Sequence, residues 1–315
     1  MENGFFRRFR RKNYSLPKNG MILFGIFYLC ALCLAAMLTP ALFYATKFLA
    51  NKFSMELFQH FIDKGFGKFF GRAQLIALVI LMFPFLKICG FHSLKDIYLT
   101  KIRGRKFLLT SSGGFILTCT IFAWLFLHNV SIFKPVIAKV CFWNLFKFTM
   151  GAIGIGFLEE IIFRGIIFNL FSRNLNAICS ILLTSLFFAY CHLEVGNSLK
   201  IDMADVSIFS GFRCIIPTIM NIGHGFSPLN FLNLMAFGVL LSLLVLKNKS
   251  LLFPIAFHMG VVFALMSIRS FVDVVTLVDG KYCSIGILDT WISLALQSFV
   301  ALGLVLWKCE KMQKV

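Results

Sequence analysis

Eight apolar runs dominate the chain, at residues 21–46, 72–90, 108–128, 139–172, 176–192, 228–246, 251–269 and 289–307. About 20 apolar residues in helical conformation cross a hydrocarbon core of roughly 30 Å, where every backbone polar group must be satisfied within its own segment. The runs therefore predict an all-α, polytopic membrane protein with about eight transmembrane helices. Composition agrees: 59% of the 315 residues are hydrophobic and 14% charged, too few charges to cover a wet surface. The fourth run is too long for one perpendicular crossing. It carries Gly151, Gly154 and Gly156, which permit a bend or close helix packing.

A formal net charge of +18 would suit a nucleic-acid partner if the basic residues shared one amphipathic face. They lie between apolar runs instead, as membrane-flanking charges, so no nucleic acid is expected. Cytoplasmic connections carry excess Lys and Arg. With the N-terminus inside, the tails and even-numbered connections hold seventeen positive residues against eleven on the odd-numbered ones, counting Arg72, Lys139 and Arg269 at their edges. Both termini are then cytoplasmic, in a plasma or inner membrane, and the first run reads as a retained signal anchor. The expected division is a basic tail over 1–20, three helices over 21–138, a motif-bearing core over 139–270, and a last helix with a short basic tail over 271–315. The connection 193–227 reads as a re-entrant or lid segment. Cys30 and Cys33 have CxxC spacing inside an apolar helix, where packing outweighs redox or metal use.

Acids are the scarce resource of this chain. Residues 97–193 hold two, Glu159 and Glu160, adjacent within GFLEEIIFRGIIF. An ionisable residue at a helix centre costs roughly 2.5–3.5 kcal/mol on insertion scales, so this cluster needs a reason. Glu160 and Arg164 are four apart and share a face, where an ion pair offsets desolvation. Glu159 is turned about 100° away by the helical period and is freer to take a proton. His192 and His258 also lie in apolar runs. A carboxylate base with two imidazoles suits peptide-bond hydrolysis, with the imidazoles either on a metal or on the oxyanion; a buried structural clamp is the competing reading of the charges. Depth favours Glu159 and His192 sharing a layer, whereas His258, about 10 Å from Leu251, joins them only if the 247–250 connection dips or its helix tilts. His60, His92, His128 and His224 are assigned no role, although the segment around His224 could fold toward the site.

Other intramembrane protease chemistries lack their residues here. Neither Glu follows a His in HExxH spacing, Gly154-Ile155-Gly156 is followed by Phe157 rather than Asp, and no GxSx nucleophile accompanies a membrane His. The chain resembles the CPBP family of intramembrane proteases, which includes the type II CAAX prenyl endopeptidases and the abortive-infection and bacteriocin-immunity proteins. EExxxR is matched by Glu159, Glu160 and Arg164, FxxxH by Phe188 and His192, and the third motif by His258 at the end of KNKSLLFPIAFH.

The resemblance implies an eight-helix core with its motifs on helices four, five and seven. It implies a hydrolase, a protease cutting a membrane-associated peptide, CAAX-like in one branch of the family. Glu159 would activate water, and Glu160 and Arg164 would orient the site. His192 and His258 would stabilise the oxyanion or, with Glu159, hold zinc. The family's final Asn or Asp, four positions after this His, is replaced by Val262. Loss of such a donor costs about 2.7–4 kcal/mol elsewhere, which motivates the alternative of a catalytically impaired binding or immunity protein, unless Asn221, Asn230 or Asn233 supplies the amide. A proton-coupled transporter ranks last, since neither paired broken helices nor repeat symmetry is present.

Overall fold

The computed structural model describes residues 20–53, 56–63, 65–91, 93–128, 130–133, 138–192, 205–220, 227–278, 281–284 and 290–313. Each of the eight apolar runs lies on helix. In chain order the elements are α1 (Gly20–Phe53), α2 (Glu56–Asp63), α3 (Phe66–Ile88), α4 (Gly104–His128), β1 (Val130–Phe133), α5 (Ala138–Glu160), a π-helical segment (Ile161–Ile167) and α6 (Phe168–Asn174). There follow α7 (Ala177–Cys191), a 3₁₀ turn (Ser210–Cys214), α8 (Ile215–Ile219), α9 (Pro228–Asn248), α10 (Leu252–Phe271), β2 (Val272–Val278), β3 (Lys281–Ser284) and α11 (Trp291–Gln313). Among the described residues five helices, namely α1, α3, α4, α9 and α10, are each long and apolar enough to cross a membrane, and α7 is a shorter apolar helix. The protein is an integral membrane protein. Its outward side chains fit that solvent: Leu127, Phe142 and Phe299 are each more than 70% exposed on apolar helices.

The described residues divide into two compact units, one within 13–92 and 192–226, the other within 93–191 and 227–315. In the first unit α1 and α3 pack through Phe43, whose ring meets Phe66 and Phe69 edge-on at 5.9 and 5.5 Å. Residues 205–220, from the connection read as a re-entrant or lid segment, lie against α1. The Tyr44 hydroxyl donates to the Val206 carbonyl, and Gly211 sits so close to Ala36 that a Cβ there would lie 1.9 Å from the Ala36 oxygen. His224 falls outside the described residues. The described cysteines, Cys30 and Cys33 included, are free thiols.

In the second unit α4 and α10 run side by side, and glycine sets their separation. A Cβ on Gly114 would lie 2.2 Å from the Phe257 oxygen, and one on Gly260 would lie 2.0 Å from the Ser111 oxygen; small residues let membrane helices approach to backbone contact in this way. Both helices begin at one set of connections. The Leu251 amide donates to the Tyr98 carbonyl at 2.8 Å and Ser250 Oγ to the Thr100 carbonyl at 3.0 Å. Both end at a three-stranded antiparallel sheet of order β1-β2-β3, in which Val130 pairs with Val275 and Phe133 with Val272. The sheet was not expected from the apolar runs. Its sequence signal is Asp279-Gly280 between VDVVTLV and KYCS, a dipeptide that favours hairpins.

α5 returns antiparallel to α10, and here the glycines serve packing. A Cβ on Gly156 would meet Met259 Cγ at 2.9 Å and one on Gly151 the Met266 side chain at 3.4 Å, while nothing lies within 4 Å of Gly154. The helical irregularity comes later, in the π turn directly after Glu160. Such single turns of i→i+5 bonding frequently mark functional sites.

Candidate active site

α5 ends on Glu159 and Glu160, and α10 brings His258 to them. His258 Nδ1 lies 2.8 Å from Glu160 Oε1 and donates its hydrogen to that carboxylate. His258 Nε2 then faces Glu159 Oε2 at 3.9 Å, which is proximity and not a hydrogen bond. Glu160 Oε1 also accepts from Arg164 Nη1 at 2.9 Å. The two glutamates are thereby separated as the helical period predicts: Glu160 and Arg164 are fully buried, while the Glu159 side chain keeps 24% exposure. Glu159 is the more exposed of the two carboxylates, with its Oε2 buried facing His258, and Glu160 is fully buried.

The depth problem of His258 is resolved by the connection before α10. A Cβ on Gly165 would touch Leu251 Cδ2 at 3.4 Å and the Ile97 carbonyl at 3.5 Å. Leu251 thus lies level with the middle of the π segment, and α6 extends past the start of α10. Five residues from Glu160 to Gly165 and seven from Leu251 to His258 each rise about 8–10 Å, so the groups meet. The turn that permits this is short, with Lys249 closing α9 in the left-handed conformation (φ 52°).

Several contacts around the cluster lie beyond sequence reasoning. Arg164 Nη2 donates to the Gly238 carbonyl of α9 at 3.2 Å, and the guanidinium carbon lies 4.4 Å from the centre of the Phe188 ring. Phe188 and Phe237 meet His258 edge-on at 6.2 and 5.1 Å. Phe188, one member of the FxxxH pattern, is therefore a wall shared by Arg164 and His258. His192, the other member, is half-buried in the turn after α7. The residue before it, Cys191, is near enough to Glu159 to feel its charge.

Of the three amides named as replacement donors, the structure decides one. Asn233 is fully buried, and its Nδ2 donates to the Leu229 and Thr290 carbonyls at 2.8 and 3.2 Å while its oxygen accepts from Gln297 at 3.4 Å. It fastens α9 to the start of α11 and is not available as a replacement donor; Asn221 lies outside the described residues. Zinc would need at least three protein ligands. Among the described residues no three His, Cys, Asp or Glu side chains gather with metal-holding spacing.

This arrangement, a reachable carboxylate beside an imidazole that is fixed by a second, ion-paired carboxylate, is suited to moving protons on a bound peptide. Residues 141–264 match the family model of the Rce1-like type II CAAX prenyl endopeptidases. The matched segment, which holds α5 to α10 almost entire, is similar to a family of proteases, and the match is consistent with a protein of the CPBP family. No curated relative and no solved structure matches the chain.

Proposed function

We propose that the protein is an intramembrane endopeptidase that hydrolyses a peptide bond of a membrane-associated, CAAX-like substrate with Glu159 as general base. The observation that carries this reading is the asymmetry of the pair. Glu160 Oε1 is held by both Arg164 and His258, whereas Glu159 is partly exposed beside His258 Nε2. Glu159 takes a proton from water as the oxygen attacks the carbonyl carbon, and returns it to the leaving amine as the C–N bond breaks. His258, its Nδ1–H given to Glu160, presents Nε2 to the same space. His192 is assigned to the oxyanion side on the strength of the resemblance and its place one residue after Cys191. Both termini, and the connections before α4 and α10, are assigned to the cytoplasm.

The test is hydrolysis of a quenched fluorogenic, farnesylated CAAX-type peptide by the purified chain in H₂¹⁸O. One ¹⁸O is expected in the new carboxylate, on the fragment N-terminal to the cut bond. No cleavage, or cleavage without the label, contradicts the proposal. A second reading rests on Val262, which stands half-buried on α10 where the family has Asn or Asp, with Asn233 committed elsewhere. A catalytically impaired binding or immunity protein would bind the peptide without cutting it, and Val262→Asn would confer no activity.

A further inference from the structure

Gly238 has no side chain and belongs to none of the three motifs, yet the charged cluster ends on it. Its carbonyl, besides its place in α9, accepts from Ser242 Oγ at 2.9 Å and from Arg164 Nη2 at 3.2 Å. A serine bonding back to the carbonyl four residues earlier often bends a helix slightly. Close approach is enforced by the neighbour: a Cβ on Gly238 would lie 2.8 Å from Ser185 Cβ and 2.9 Å from Ser185 Cα. Gly238 and Ser242 form a small-xxx-small pair on α9, and fully buried Ser185 and Ala189 form one on α7, the pattern that lets membrane helices touch.

We infer that Gly238 is a positioning residue, whose carbonyl fixes the Arg164 guanidinium so that Glu160 holds His258 with its hydrogen on Nδ1 and Nε2 turned toward Glu159. The chain of contacts is continuous: Gly238 oxygen to Arg164 at 3.2 Å, Arg164 to Glu160 at 2.9 Å, Glu160 to His258 at 2.8 Å. Arg164 has one face on Phe188, so the carbonyl sets its position within the plane. Gly238→Ala drives α7 and α9 apart, because the atoms it meets include backbone. The oxygen then leaves the guanidinium and the order is lost downstream.

The inference rests on the proposed hydrolysis for its kinetic arm alone. The direct arm is ¹⁵N NMR of histidine-labelled full-length protein in phospholipid bilayers, with His258 assigned by loss of its signals in His258→Gln. The wild type should show one His258 form with the hydrogen on Nδ1. Gly238→Ala should show a mixture of Nδ1 and Nε2 forms and, against the farnesylated peptide, a kcat lower by about 10–100-fold at little-changed KM, the scale of an ångström's misplacement. Gly238→Ala with Ser185→Gly, which removes the colliding Cβ and Oγ and leaves Cα at 2.9 Å, should restore both readouts in part. A single Nδ1 form and wild-type kcat in folded Gly238→Ala overturn the inference, as does a variant that loses only yield. If Gly238→Ala does not accumulate, Ser242→Ala carries the test, since it removes the back-bond without adding an atom. A smaller change in the same two readouts supports the assignment, and no change overturns it. A wild type that cleaves nothing refutes the hydrolysis, while the tautomer comparison still decides the role of Gly238.

Discussion

At the scale of residues, scarcity of charge led to the cluster, and geometry divided its labour. The i, i+4 spacing of Glu160 and Arg164 and the turn of Glu159 away from them were legible because the helical period is fixed by the backbone. What Glu160 does with its remaining capacity was not, since His258 arrives from 98 positions away. Breaking a buried pair leaves the partner charge unpaired and costs about 3–5 kcal/mol. Arg164→Leu should therefore lower the thermal midpoint in micelles markedly, and Glu159→Gln, outside the pair and partly exposed, should leave it close to wild type. Equal midpoints for Arg164→Leu and wild type would show that the pair contributes nothing to folding.

Elements were visible wherever burial in lipid demands length and apolarity, and all eight runs are helical. Details set by contact between helices were less so. The three glycines of the long fourth run allowed either a bend or packing, and which of these each serves depends on α10, which meets Gly156 and Gly151 and leaves Gly154 open. The π turn has no local sequence mark. Packing of α4 on α10 yields a separate prediction: Gly260→Ala places a Cβ 2.0 Å from the Ser111 oxygen. Such overpacking should destabilise by about 1–3 kcal/mol. Gly303→Ala, on α11 with nothing within 4 Å, should leave the thermal midpoint unchanged. A Gly260→Ala midpoint matching that of Gly303→Ala would contradict the close approach.

Across the molecule, charge bias gave the order of sides and hydrogen bonding gives an independent check on it. The connections before α4 and before α10 are bonded to each other, as are those that follow the two helices, through β1 and β2. In a background without native cysteines, Lys101→Cys and Lys249→Cys should react with an impermeant maleimide from one side, the cytoplasmic one, and Ser284→Cys from the other; labelling of Lys101→Cys and Lys249→Cys from opposite sides would contradict the fold. The sheet escaped a reading tuned to long apolar runs because its signal is a single dipeptide, and the depth of His258 escaped it because loop level is set by packing against Gly165 and Ile97. The central claim is that Glu159, beside an imidazole held by Glu160, is the base of a hydrolase. Turnover of the farnesylated peptide by Glu159→Gln tests it most directly: a loss of at least ~100-fold in kcat with an unchanged thermal midpoint is predicted, and turnover at the wild-type rate would contradict it.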